Sequence, residues 1–216
     1  MPIAILGSWV PRVVFPDFDR WNPWRPKQLA SRLQALEVPW AVAAGWAIDL
    51  FVGRESRAHD DLEIVVARPS FGAVRAALPE LTWFGAGGLG GEPGRVWPID
   101  DAPAELHQTW GWDSLNACWR VDVFREPWEE DTWVCRRDPS IRRPVTDAIE
   151  RDPNGIPYLA PEIVLLFKAK HAARDKDAGD FARVLPLLDV QRRQWLADAL
   201  GVVHPGHDWL TLLVDR

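Results

Sequence analysis

Apolar and polar positions follow three different rhythms along this chain. Up to Pro26 there is no period: Pro2, Pro11, Pro16, Pro23 and Pro26 break up the apolar residues, which predicts an extended arm over residues 1–26. A helical rhythm follows in KQLASRLQAL, where Leu29, Leu33 and Leu36 share a face, and PWAVA after it reads as a short buried strand. Gly45 opens a helical stretch, GWAIDLFVG, that ends near Gly53. DLEIVVA alternates and then turns wholly apolar, as a strand covered on both faces would, and a helix is expected from Ser70 to Leu78. Between Leu81 and Arg143 short aromatic and β-branched runs are split by Gly, Pro and Asp, the pattern of hairpins, with CWRVDVFRE the clearest strand.

Past Tyr158 the period lengthens again. LAPEIVLLFKAKH, KDAGDFARVLPLLD and VQRRQWLADAL predict three consecutive helices, with Pro161 near the start of the first and Asp189 capping the third. The expected organisation is therefore an arm (1–26), an α+β catalytic domain with a mixed, largely antiparallel sheet (27–156), and a helical C-terminal part (157–216). With 216 residues, 47% of them hydrophobic, the chain can bury a substantial core. Its two cysteines, Cys118 and Cys135, are too few for a disulfide framework and fit a reducing, cytoplasmic setting. The apolar start has no basic region and is interrupted by Pro2, Gly7 and Pro11, so it does not read as a signal peptide, and no apolar run is long enough to predict a membrane span.

A formal charge of −6 argues against a broad nucleic-acid footprint and suits cationic small molecules. Among fourteen tryptophans, Trp83, Trp97, Trp110, Trp112, Trp119, Trp128 and Trp133 crowd the middle of the chain. They would either pack a twisted antiparallel sheet or form an aromatic wall for a ring or sugar.

Candidate chemistry lies between Ala43 and Val66. On a strand, residues two apart share a face, so Asp61 and Glu63 project together while Leu62 and Ile64 turn inward. Two hard carboxylates on one face make a Mg²⁺ site in which triphosphate oxygens complete the coordination. Asp122, in the apolar run WRVDVF, is the natural third acid, because a lone buried carboxylate there is costly unless it faces the same metal. Gly45, at a strand-to-helix turn, would let backbone N–H groups approach the β and γ phosphates, and Arg57 and His59 could add cationic contacts or fix the loop. An acid pair of this kind arises by chance about half a time per chain of this composition, so its weight comes from the whole arrangement of strand, turn, helix, loop and acidic strand.

That arrangement resembles the nucleotidyltransferase superfamily, in its aminoglycoside adenylyltransferase-type family. The signature there is a Gly-Gly-Trp turn, a short helix with Asp, a Gly-Arg-x-x-Arg-x-His loop and Asp-x-Asp on a strand. The matching residues are Gly45, Trp46, Asp49, Gly53, Arg54, Arg57, His59, Asp61 and Glu63. The resemblance implies a polymerase-β-like core, two Mg²⁺ ions held by Asp61, Glu63 and Asp122, and transfer of a nucleoside monophosphate from an NTP, ATP first among them, to an acceptor hydroxyl. It also places Lys168 where a lysine could reach the triphosphate, with Gly45, Trp46, Arg57 and His59 on the nucleotide. Two positions depart from the signature: Ala44 replaces the first glycine, where a Cβ opposes a left-handed turn at a cost of about 1 kcal/mol, and Glu63 replaces an Asp.

Other motifs are weaker. GAGGLG at 85–90 is followed by strand-like sequence and not by a helix, His204 and His207 flank an ordinary Pro-Gly turn, and Asp175 and Asp177 read as acids at a helix start. An aminoglycoside-like acceptor suits the acidic chain. A tRNA or protein acceptor, as in toxin-type relatives, would need a basic surface that the sequence does not locate, and a non-catalytic nucleotide-binding relative is the reading from another class.

Overall fold

The computed structural model describes residues 16–88, 94–171 and 174–214. Most of the proline-rich arm and part of the GAGGLG segment lie outside these residues. From Pro26 the chain runs α1 (Pro26–Arg32), β1 (Trp40–Val42), α2 (Ala44–Val52), β2 (Glu63–Ala67) and α3 (Phe71–Ala77). Strands β3 (Leu81–Gly87), β4 (Arg95–Pro98), β5 (Gln108–Asp113), β6 (Cys118–Glu126), β7 (Thr132–Val134) and β8 (Arg142–Pro144) follow. After α4 (Val145–Ala148) come β9 (Ile149–Arg151) and β10 (Pro157–Leu159). The helices α5 (Pro161–Lys168), α6 (Asp175–Val184), α7 (Val190–Val203) and α8 (Trp209–Val214) complete the fold.

Eight strands form one mixed sheet in the order β4-β3-β5-β6-β2-β1-β10-β9, and β7 pairs with β8 apart from it. Only β2 with β6 and β1 with β10 run parallel; the other neighbours in the large sheet are antiparallel. The middle of the chain is thus the run of antiparallel strands its short aromatic segments predict. The three C-terminal helices occur where the period placed them, and the Asp189 side chain accepts from Arg192 N at 2.8 Å to cap α7. Sequence reading missed β9, β10 and α8. At three residues each, β9 and β10 carry no usable period, and β10 depends on a partner, β1, far away in the chain.

The core lies between the sheet and the helices. Leu29, Leu62, Ile64, Val66, Val123, Leu165 and Leu166 are all fully buried. Of the arm, residues 20–24 lie beside the first residues of β6, ahead of where β2 begins to pair. Trp119 N donates to Arg20 O at 2.8 Å, and Asn22 N and Trp24 N donate to Trp119 O and Arg120 O, each at 3.1 Å. No described helix is long and apolar enough to cross a membrane.

Candidate active site

Where β1 meets α2, Ala43 N donates to Glu63 O at 2.8 Å, which ties the end of β1 to the first residue of β2. The next residue, Ala44, takes φ +49°, in the left-handed region that glycine occupies more cheaply. So the chain makes the signature's turn with alanine in place of glycine. No side chain caps this helix start, which leaves the first N–H groups of α2 without a side-chain partner.

Gly45 has a packing role of its own. A Cβ at this position would sit 2.2 Å from Arg57 Nη2 and 2.8 Å from the His59 ring, so the glycine makes room for the loop that packs on it. That loop is held by Asp49, a buried acid on α2. Asp49 Oδ2 accepts from Ser56 N at 3.1 Å and lies 2.7 Å from His59 Nε2. The His59 ring in turn stacks on Trp46, with centroids 4.2 Å apart and planes inclined by 25°. Burial pushes His59 below its ordinary pKa against the pull of its bond to Asp49. Trp46 and His59 are thus a packed pair beneath the turn, while Arg57 reaches towards Asp180 Oδ2 at 3.6 Å.

The acids follow. Asp61 stands just ahead of β2 and Glu63 is its first residue, with fully buried Leu62 between them. Leu62 O accepts from Asp122 N at 2.8 Å, and Glu63 lies opposite Asp122 in the parallel register of β2 and β6. Asp122 is 3% exposed; its Oδ2 accepts from Gln108 Nε2 at 2.8 Å, while its Oδ1 is buried without a hydrogen-bond partner among the described residues. Burial raises all three carboxyls. Asp122 goes to about 7, with the Gln108 hydrogen bond opposing and the Asp61 charge adding to the rise. Glu63 lies well above the usual range, from burial and then from the charges of Asp61 and Asp122, and Asp61 is raised by burial against the pull of Lys176.

These carboxylates fit Mg²⁺ by chemistry: hard oxygens on one face, one of them unpaired and buried. Among the described residues no three His, Cys, Asp or Glu side chains form a ready cage. A Mg²⁺ ion needs only one or two carboxylates when phosphate oxygens and water fill its remaining positions.

Lys168 is more committed than its sequence suggested. Its Nζ lies 2.7 Å from Asp177 Oδ1 and 2.8 Å from Asp180 Oδ2, two buried acids of α6. Asp177 is therefore a buried partner of Lys168, and the expectation that it merely decorates a helix start is corrected. Asp180 binds Lys168, Arg57 and Arg183 together, and only its spacing with Phe181 and Val184 on a buried face signalled it. Lys176, an exposed residue in the first turn of α6, was also missed; its charge bears on both Asp61 and Glu63.

Beside the acids, Trp110 lies opposite Asp122 in the β5–β6 register, and cross-strand partners share a face. Half-buried Trp110 and Trp112 pack with Phe84, Trp119 and Trp21. The packing reading holds for Trp119 and Trp133, which are fully buried core, and Trp110 lies next to the third acid within the same aromatic cluster.

Residues 27–83, from α1 into β3, match the family model of aminoglycoside-2''-adenylyltransferase. That segment resembles the aminoglycoside adenylyltransferases of the nucleotidyltransferase superfamily. Solved structures extend the likeness of fold past this segment. The antibiotic-resistance factor ANT(2'')-Ia superposes with a TM-score of 0.54 at 12% identity, over 82% of this chain and 89% of that one. Its complex with adenylyl-2''-tobramycin gives 0.51 at 13%, over 82% and 95%. The lincosamide antibiotic adenylyltransferase LnuA, bound to lincomycin, gives 0.51 at 14%, over 76% and 98%. No curated protein sequence matches the chain.

Proposed function

We propose that this chain is a nucleotidyltransferase that moves a nucleoside monophosphate, AMP from ATP in the first instance, to the hydroxyl of a small acceptor. The observation that carries the reading is the register of β2 with β6, which sets Glu63 beside Asp122 and leaves Asp122 Oδ1 buried and unpaired. In the proposal Asp61, Glu63 and Asp122 hold Mg²⁺, two ions in all. The metal supplies charge neutralisation at the α-phosphate and the leaving pyrophosphate.

The open start of α2 receives the β and γ phosphates, and Arg57 and Lys176 face them from the loop and from α6. Asp122 Oδ1 takes the proton of the acceptor hydroxyl as its oxygen bonds to the α-phosphorus and the bond to the β-phosphate oxygen breaks. Gln108 fixes the other oxygen so that Oδ1 is the one presented. Trp110 offers a flat face to the acceptor ring.

The discriminating experiment compares Asp61→Asn with Asp122→Asn by calorimetry and pyrophosphate release. Asp61→Asn should abolish binding of ATP with Mg²⁺. Asp122→Asn should leave most of that binding and lower turnover by several orders of magnitude, since a proton acceptor acts chiefly in the transition state. Equal, unchanged affinity in both variants would refute the metal assignment. Tight nucleotide binding without pyrophosphate release for any acceptor would favour a non-catalytic relative.

A further inference from the structure

A basic cluster that sequence reading did not locate lies on the same face of the sheet as the acids. Glu126 follows Asp122 by four residues on β6 and so shares its face, roughly 13 Å further along at about 3.3 Å per residue. Arg136 Nη1 is 3.3 Å from Glu126 Oε1, and its guanidinium lies 4.5 Å from the Phe167 ring and 5.9 Å from that of Phe124. The charges of Arg68 and Arg137 also reach Glu126, while Arg125, its neighbour on β6, projects from the opposite face. Each donates to backbone carbonyls: Arg68 to Ala104 O, Arg125 to Leu106 O at 2.7 Å, and Arg137 to Leu166 O and Phe167 O at 2.9 and 2.8 Å. Carbonyls orient a guanidinium without cancelling its charge, so three guanidiniums, those of Arg136, Arg68 and Arg137, answer one carboxylate in a chain whose formal charge is −6.

The cluster connects to the reaction centre. Gln108, bonded to Asp122, lies opposite Phe124 in register; the His107 ring is 5.8 Å from Phe124; and all three, like Arg136, are half-buried. A cavity of about 50 Å³ beside them is bounded by Ala44, Val65, Phe124, Glu126, Arg136 and Phe167, among others. Glu126 is 1% exposed and its Oε2 has no hydrogen-bond partner among the described residues. A hydroxyl placed at Asp122 would thus extend its molecule over Phe124 towards a fixed positive field.

We infer that the acceptor is a hydroxyl-bearing small molecule with an anionic group, a phosphate or carboxylate, which Arg136 receives while Glu126 accepts a neighbouring hydroxyl. This rests on the nucleotidyl-transfer reading and sets the class of acceptor for that same site. A polycationic acceptor would meet like charge here, at a distance where burial weakens screening. The narrow, half-buried setting of Arg136 favours a small anion over a polyanion, which needs an extended exposed track. The depressed pKa of His107, driven by burial and then by Arg136, Arg68, Arg125 and Arg137, agrees with this field.

The test measures binding of glucose 6-phosphate, glucose, tobramycin and a short single-stranded RNA by calorimetry, with a non-hydrolysable ATP analogue and Mg²⁺ saturating the nucleotide site. Glucose 6-phosphate should bind and glucose should not. Arg136→Met should weaken the phosphate ester about tenfold or more, the loss of one charge-assisted contact, and Arg136→Lys should recover part of it. Because Arg136→Met strands Glu126, the pair Arg136→Met with Glu126→Gln serves as the second variant, and it should show the same loss. Tighter binding of tobramycin, no binding of the phosphate ester to the wild type, or unaltered binding in both variants would overturn the inference. So would RNA that displaces the sugar phosphate with affinity falling steeply as salt rises. Failure of the analogue itself to bind would count against nucleotidyl transfer, and phosphate binding that depends on Arg136 would survive that failure.

Discussion

The left-handed alanine is where a single atom matters most. Ala44 keeps the turn at φ +49° although its Cβ opposes that conformation, so Ala44→Gly should stabilise the fold. The strain relieved exceeds the entropy glycine loses on folding by about 0.5–1 kcal/mol. Thermal unfolding should show a rise of roughly 2 °C for a chain of this size, with ATP affinity kept or improved. Its neighbour offers the opposite case, since any side chain at Gly45 would strike Arg57 and His59. The signature's residues were legible because they act locally: period two set Asp61 and Glu63 on one face, and the apolar setting of Asp122 marked it as costly to bury alone. The reason for Gly45 was not legible, since it depends on two side chains that fold back from a loop more than ten residues away.

At the scale of elements, the site is a junction between the sheet and α6. Asp180 reaches out of the C-terminal helices to Arg57, which rests on the start of α2, and to Lys168 on α5. Asp180→Ala should lower stability by about 3 kcal/mol, because Lys168, Arg57 and Arg183 lose a buried carboxylate that they share. It should also raise the KM for ATP more than it lowers kcat, since Arg57 is freed while Asp122 is untouched. Denaturant titration and steady-state kinetics read the two effects separately. Periodicity gave α5, α6 and α7 readily, but not what they hold. Lys168 sits within an apolar run in either reading, and only the packing of α6 decides that two acids meet it.

At the scale of the whole molecule, charge is distributed unevenly in a way composition hides. The arginines whose charge reaches Glu126 come from just past β2 and from the stretch after β7, so no window of sequence displays them together. The field they create has a measurable sign. Burial, then these arginines, holds His107 at about 4 against an ordinary 6.5, so between those values the imidazole is neutral in the fold and protonated in the unfolded chain. Stability is then intact above about pH 6.5 and declines as pH falls towards 4. The span corresponds to at most about 3 kcal/mol, less for a half-buried ring. Urea unfolding of the wild type and of His107→Gln across that range should show a smaller acid loss in the variant; parallel pH curves would assign the loss to other groups.

The pairing of Val42 with Tyr158 also bears on how the molecule is made. Until β10 leaves the ribosome, β1 is an outer strand, with the backbone groups of Trp40, Ala41 and Val42 open on one side. Such an edge invites pairing with another nascent chain, and contacts so distant in sequence form slowly. Soluble yield should therefore depend on how quickly the last third of the chain arrives, and fragments that stop short of Leu159 should aggregate even though they carry every residue of the acidic site.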